Sequence, residues 1–185
     1  MSAVLVVTAY GGPEGQRLIE REAPTPGPGE IAIEVRAAGV NPADWKRRQG
    51  AFGTSGALPV AMGLEASGVV TSVGEGVEGF AVGDEVLGSP ARGLGAFAEH
   101  TVLGASRSLV KPAEVSFAAA DASTAAELGG AGRRRSAGSL DAVTGLVRHG
   151  LLDPHVVATH PLQDAAAAIA AVESGHSGGK VVILP

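Results

Sequence analysis

Asn41 is the side chain in this chain best suited to handling a carbonyl compound. Its carboxamide donates from nitrogen and accepts at oxygen without ionising, so it can hold a nicotinamide or a quinone. Asn is also common at turns for backbone reasons, and Pro42 follows it, so a turn-forming role stands beside the binding one. Asp44 and Arg48 lie four residues apart in PADWKRR, the spacing of an internal ion pair on one helical turn. Trp45, the only tryptophan, offers a flat face to a ring or a bulky side chain to a core. Donors for metal chemistry are few. The chain has no cysteine, and His100, His149, His155, His160 and His176 are scattered without a regular ligand spacing. No Ser, His and Asp set sits in a nucleophile-elbow context, so hydrolysis has no support.

The elements that must position these residues follow from hydrophobic patterning. With 185 residues and 45% hydrophobic content, the chain can bury one good core. Residues 1–112 read as β structure. Val4 to Tyr10 is an apolar run closed by Gly11, Gly12 and Pro13, and PTPGPGE from Pro24 to Glu30 ends any regular element. Ile31, Ile33 and Val35 alternate with Ala32, Glu34 and Arg36, the period-two signature of a half-buried strand. Ser67–Val73, Asp84–Leu87, Ala96–Leu103 and Ser108–Lys111 are further short runs between Gly-bearing turns, a spacing that favours a barrel or sandwich. A short helix is expected from Pro42 to Gly50.

Beyond the strands the character changes. Ser139 fits an N-cap, and Leu140, Val143, Leu146 and Val147 share one face before His149 and Gly150 end a helix. A second helix is expected from near Gln163 to Gly175, followed by a terminal strand from Lys180 to Leu184. Residues 118–138, small, polar and Gly-rich, read as a linker with at most one helical turn. The expected organisation is therefore a β part over residues 1–117, a linker over 118–138 and a returning segment over 139–185.

Charge limits the partners. A net charge of -5 and a pI near 5.5 argue against nucleic acid and anionic membranes, and Arg133, Arg134 and Arg135, the one basic run, read as a solvated loop. No apolar stretch approaches the roughly eighteen residues of a membrane helix, and no basic region precedes an apolar core at the start, so a cytoplasmic location is expected. One pattern invites a false reading. Gly74, Gly76 and Gly79 spell G-x-G-x-x-G after a strand, yet a dinucleotide site needs a helix next, and FAVGDEVLG reads as a turn and another strand.

Four stretches, taken in order, resemble the zinc-independent, quinone-oxidoreductase-like branch of the medium-chain dehydrogenase/reductase superfamily. They are GVNPADWKRRQG, with Asn41, Pro42, Asp44, Arg48 and Gly50; GLEASGVVTSVGEGVEGFAVGDEVLG, with Glu65, Gly68, Gly74, Val77, Gly83, Asp84 and Val86; GAFAEHTVL; and the ending, with Pro161, Leu162, Gly179 and Lys180. The resemblance implies a mainly β fold with a few helices, a GroES-like β-barrel substrate domain. In that family a Rossmann domain is inserted between the two parts. Here only Ala113 to Gly138 separates them, and a single βαβ unit already takes roughly 30 residues, so the Rossmann domain is expected to be absent.

The resemblance also implies roles. Asn41 would face the nicotinamide and substrate cleft, orienting substrate and touching cofactor; Trp45 and Leu64 would meet the substrate; Asp44, Arg48 and Glu65 would be structural. Zinc-dependent relatives carry a Cys near the position of Asn41 and a His at that of Leu64, so no zinc is expected. The implied activity is NADPH-dependent reduction of a quinone or an enone, with NADPH not expected to bind this chain alone. A non-catalytic binding module is the alternative, with a homodimer through the exposed cleft face as its simplest form.

Overall fold

The computed structural model describes residues 1–54, 57–126 and 137–185. Nine strands and four α-helices are named here in chain order. The strands are β1 (Ser2–Val7), β2 (Gln16–Arg21), β3 (Glu30–Val40), β4 (Val60–Ala61), β5 (Ala66–Val73), β6 (Glu85–Pro90), β7 (His100–Val110), β8 (Val156–Pro161) and β9 (Lys180–Leu184); the helices are α1 (Pro42–Arg48), α2 (Phe117–Ala126), α3 (Ala137–Arg148) and α4 (Ala165–Glu173). The fold is mainly β with a few helices, as expected. β5 pairs antiparallel with both β6 and β3, so that β3, β5, β6 and β7 wrap into a barrel-like ring, and β9 and β8 extend the sheet beyond β3. A smaller sheet in the order β2-β1-β4 packs alongside. β8 and β9, joined through α4, pair in parallel, and every other pairing among the described strands is antiparallel.

Alternation along β3 places the core. Ile31, Ile33 and Val35 are buried in the main apolar cluster with Val7, Met62, Phe97 and Leu103. Leu162, Ala165, Ala168 and Ile169 from the α4 region and Val181 and Ile183 of β9 join the same cluster, so the end of the chain completes the core of the beginning. β9 pairs with β3 through Ala38, Gly39 and Val40, the three residues before Asn41. That pairing sets the first residue of β9, Lys180, beside the start of α1.

Several elements depart from the sequence expectation. The two runs Ala96–Leu103 and Ser108–Lys111 are served by one long strand, β7, while β2, β4 and β8 lie outside the patterns recognised. β2 exposes most of its side chains, so no buried face advertises it. The first part of the segment read as a linker with at most one helical turn is corrected, since α2 occupies Phe117–Ala126; residues 127–136 of that segment lie outside the described residues. FAAADASTAA carries almost no polar-apolar contrast, so periodicity is silent, while alanine favours the helix and its small side chain lets the helix lie close to the sheet. Ser116 caps it by accepting the Ala119 N–H at 3.2 Å, and the Ser67 hydroxyl donates to the Phe117 carbonyl at 2.8 Å. α3 starts at Ala137, which places Ser139 inside the first turn and not at its cap. Arg133, Arg134 and Arg135 lie outside the described residues.

Candidate functional site

Asn41 sits where β3 ends and α1 begins, with Pro42 in the first helical turn. Its backbone N–H donates to the Asp44 carboxylate at 2.8 Å, which ties the start of α1 to itself. Its side chain turns inward. The amide nitrogen donates to Glu65 Oε1 at 2.8 Å and to the Gly39 carbonyl at 3.3 Å, and the amide oxygen accepts from Lys180 Nζ at 2.8 Å. Lys180 also donates to Glu65 Oε1 at 2.7 Å. Asn41, Asp44 and Glu65 are all buried. A carboxamide so engaged has committed both of its donors and one lone pair of its oxygen to the protein, and so holds Glu65 and Lys180 in place.

Gly39 makes this convergence sterically feasible. A Cβ built there would collide with Asp121 Oδ2 from α2 and with Lys180 Cε. Only hydrogen at that position lets the α2 carboxylate and the β9 ammonium approach the same stretch of β3. Three buried carboxylates and one partly buried ammonium thus gather around the β3-α1 junction, a setting in which ionisation is costly unless paired. Asp44 registers that cost: burial pushes its carboxyl up to about 7, the Asn41 N–H draws it partly back, Glu65 raises it and Lys180 lowers it, with a weaker pull from the Gly63 amide.

The sign of the consequence is fixed by linkage. The native Asp44 carboxyl keeps its proton up to about 7, whereas the unfolded one loses it near 3.8, so across that window the native state binds the extra proton. Its contribution to stability therefore falls as pH rises from about 4 to about 7. Asp44→Asn should match the wild type below this window and become the more stable protein above it, by an amount whose upper limit is about 4 kcal/mol. Denaturant unfolding of both proteins across the window checks this; a difference in stability that stays flat with pH would remove Asp44 as a buried titrating group.

The expected Asp44–Arg48 ion pair does not form. Arg48 instead reaches α4, where its Nη2 donates to both Glu173 oxygens at 2.8 and 2.7 Å, while its Nε donates to the Gly11 carbonyl at 3.1 Å. The four-residue spacing within α1 is overridden because Asp44 faces the Glu65 side and Arg48 the α4 side. Glu173 was not singled out in the sequence, where a partner 125 positions away leaves no local signal. In the sequence Lys180 stands out only as the start of the terminal strand and as a match to the closing pattern.

Trp45 is half-buried against the main core, with Lys46 Nζ at 5.3 Å from its ring centroid. Leu64 borders an open cavity that neither Asn41 nor Trp45 lines. This cavity, of about 540 Å³, lies between α1, the loop before β5 and the loop joining β6 to β7. Gly63 precedes it with a φ of 95°, and a Cβ there would press on the Ala96 and Phe97 backbone, so the turn that presents Leu64 requires glycine. The G-x-G-x-x-G pattern falls in the connection between β5 and β6; Gly76 and Gly79 take φ of 72° and 80°, and no helix follows.

Comparison with known proteins agrees with this architecture. Residues 27–114 match the alcohol dehydrogenase GroES-like domain family. That stretch is similar to a GroES-like domain, and quinone oxidoreductases are among the proteins it resembles. The chain is 46% identical over 85 residues to the rat synaptic vesicle membrane protein VAT-1 homolog, a match covering 45% of this chain and 21% of that protein. It is 37% identical over 114 residues to a Salmonella typhimurium quinone oxidoreductase, covering 62% of this chain and 34% of that one. The matches thus span about a fifth to a third of these relatives. A mycobacterial protein solved in complex with NADPH has the same fold, with a TM-score of 0.83 at 19% identity over 100% of both chains.

Proposed function

We propose that this chain is the substrate domain of a zinc-independent, NADPH-dependent quinone or enone reductase, and that alone it is nearly inactive. The observation that carries the reading is the cavity lined by Leu64, whose neighbour in sequence, Glu65, belongs to the hydrogen-bonded network with Asn41 and Lys180. A flat carbonyl compound fits such a cavity, whose volume falls within the range of small-molecule sites. Hydride transfer needs a reactive ring held against the substrate, and this chain supplies one wall of that cleft.

NADPH does not fit the described residues. A dinucleotide needs a Gly-rich turn leading into a helix N-terminus, and the one matching pattern leads into β6. Zinc fits no better, because a carboxamide committed to Glu65 and Lys180 and the aliphatic Leu64 stand where the resembled zinc enzymes have ligands, and no group of three or more His, Asp or Glu side chains placed to hold a metal ion occurs among the described residues. Residues 1–117 and 139–185 form one substrate domain in this reading, with residues 118–138 in place of a nucleotide domain. A cytoplasmic location belongs to the same proposal, and no described helix is long and apolar enough to cross a membrane.

Calorimetric titration with NADPH tests the proposal. No binding is expected into the high micromolar range, while a quinone such as menadione binds; micromolar NADPH affinity would show a cradle elsewhere and overturn it. The same missing cradle favours a non-catalytic binding module as the second reading, which predicts binding of neither.

A further inference from the structure

The cavity beside Leu64 has a charge that a site for neutral quinones does not need. Arg47 of α1, Arg92 of the loop after β6 and Arg107 of β7 all line it, together with Leu64, Pro90 and Leu94. Three arginines from three elements thus line one cavity, Arg92 and Arg107 with exposed side chains, in a chain whose net charge is -5. Among the described residues none of the three is paired with a carboxylate; the ion pairs formed there use Arg36, Arg48, Lys111, Arg148 and Lys180. Arg107 is nonetheless oriented, since its Nη2 donates to the Pro90 carbonyl at 3.1 Å and leaves its other donors available.

Like charges gathered around one concavity repel each other and raise the local concentration of anions there. Guanidinium forks match carboxylate oxygens in bidentate geometry, and the apolar faces of Leu64, Pro90 and Leu94 suit the flat body attached to such a group. We propose that this cavity takes an anionic substrate, a planar enone or quinone bearing a carboxylate that Arg47, Arg92 and Arg107 hold. The inference rests on the carbonyl-substrate reading above and narrows its substrate class.

The test titrates the intact chain, by calorimetry, with three probes: para-carboxybenzalacetone, neutral benzalacetone and benzoate. The carboxylated enone should bind at least about tenfold more tightly than the neutral one, a preference that added salt weakens. In Arg92→Gln and Arg107→Gln, each first shown to melt like the wild type, that preference should collapse. Equal affinity for both enones overturns the inference and leaves the carbonyl reading standing. Binding of benzoate as tight as that of the carboxylated enone, with none of benzalacetone, upholds the anion site and removes the carbonyl reading. Failure of all three probes to bind overturns both.

Discussion

Replacing Lys180 with methionine should destabilise the protein by about 3–5 kcal/mol, the range seen when one partner of a buried ion pair is removed. Methionine keeps most of the aliphatic stem, so the loss is of charge and hydrogen bonding and little of volume. Lys180 Nζ lies 2.7 Å from Glu65 Oε1 and 2.8 Å from Asn41 Oδ1, with Glu65 fully buried. Without the ammonium, the Glu65 carboxylate stays in a low-dielectric pocket close to Asp44, whose own ionisation Lys180 had eased. Adding Glu65→Gln to the methionine variant should recover part of the loss, since a neutral amide needs no counter-charge. Chemical denaturation of the single and double variants measures both effects. A loss under about 1 kcal/mol in the single variant would mean that water reaches Glu65 freely, as for an exposed pair.

This network marks the boundary of what the sequence makes legible. The β character of residues 1–112 follows from the period-two run at Ile31, Ile33 and Val35 and from glycine-bearing turns, because both signals are local and short in range, whereas the GroES-like arrangement is what the family resemblance implies. The start of α1 is equally local, with Asn41 before Pro42. What the sequence leaves hidden is where each polar side chain finds its partner. Asn41 meets Lys180 across 139 positions and Arg48 meets Glu173 across 125, distances bridged by the β3-β9 pairing and by α4. The four-residue Asp44–Arg48 spacing pointed to an ion pair that tertiary contacts replaced on both sides. α2 was missed for a different reason: a helix made of small residues buries itself by close approach, as Ala120 and Ala122 do, and leaves no periodic trace. The three cavity arginines are separated by 45 and 15 positions, so no window of sequence unites them.

Deleting residues 160–185 should abolish cooperative folding. The segment contributes Leu162, Ile169, Val181 and Ile183 to the main core, all almost fully buried. Each such side chain contributes about 1.5–3 kcal/mol. Their combined loss is comparable with the whole stability of a typical domain, about 5–15 kcal/mol. The damage does not end with apolar contacts. Removing β9 strips backbone partners from β3 at Ala38, Gly39 and Val40, and removing Glu173 and Lys180 leaves Arg48 and Glu65 buried without their counter-charges. Circular dichroism on heating should show a sigmoidal transition for the full chain and a gradual, non-cooperative change, or aggregation, for the truncated one. A truncated chain that melts sharply at the same temperature would mean that the strands preceding α2 form a self-sufficient core. In that event the buried pairs from β9 and α4 would be additions to a finished domain, whereas their position under β3 makes them part of what closes it.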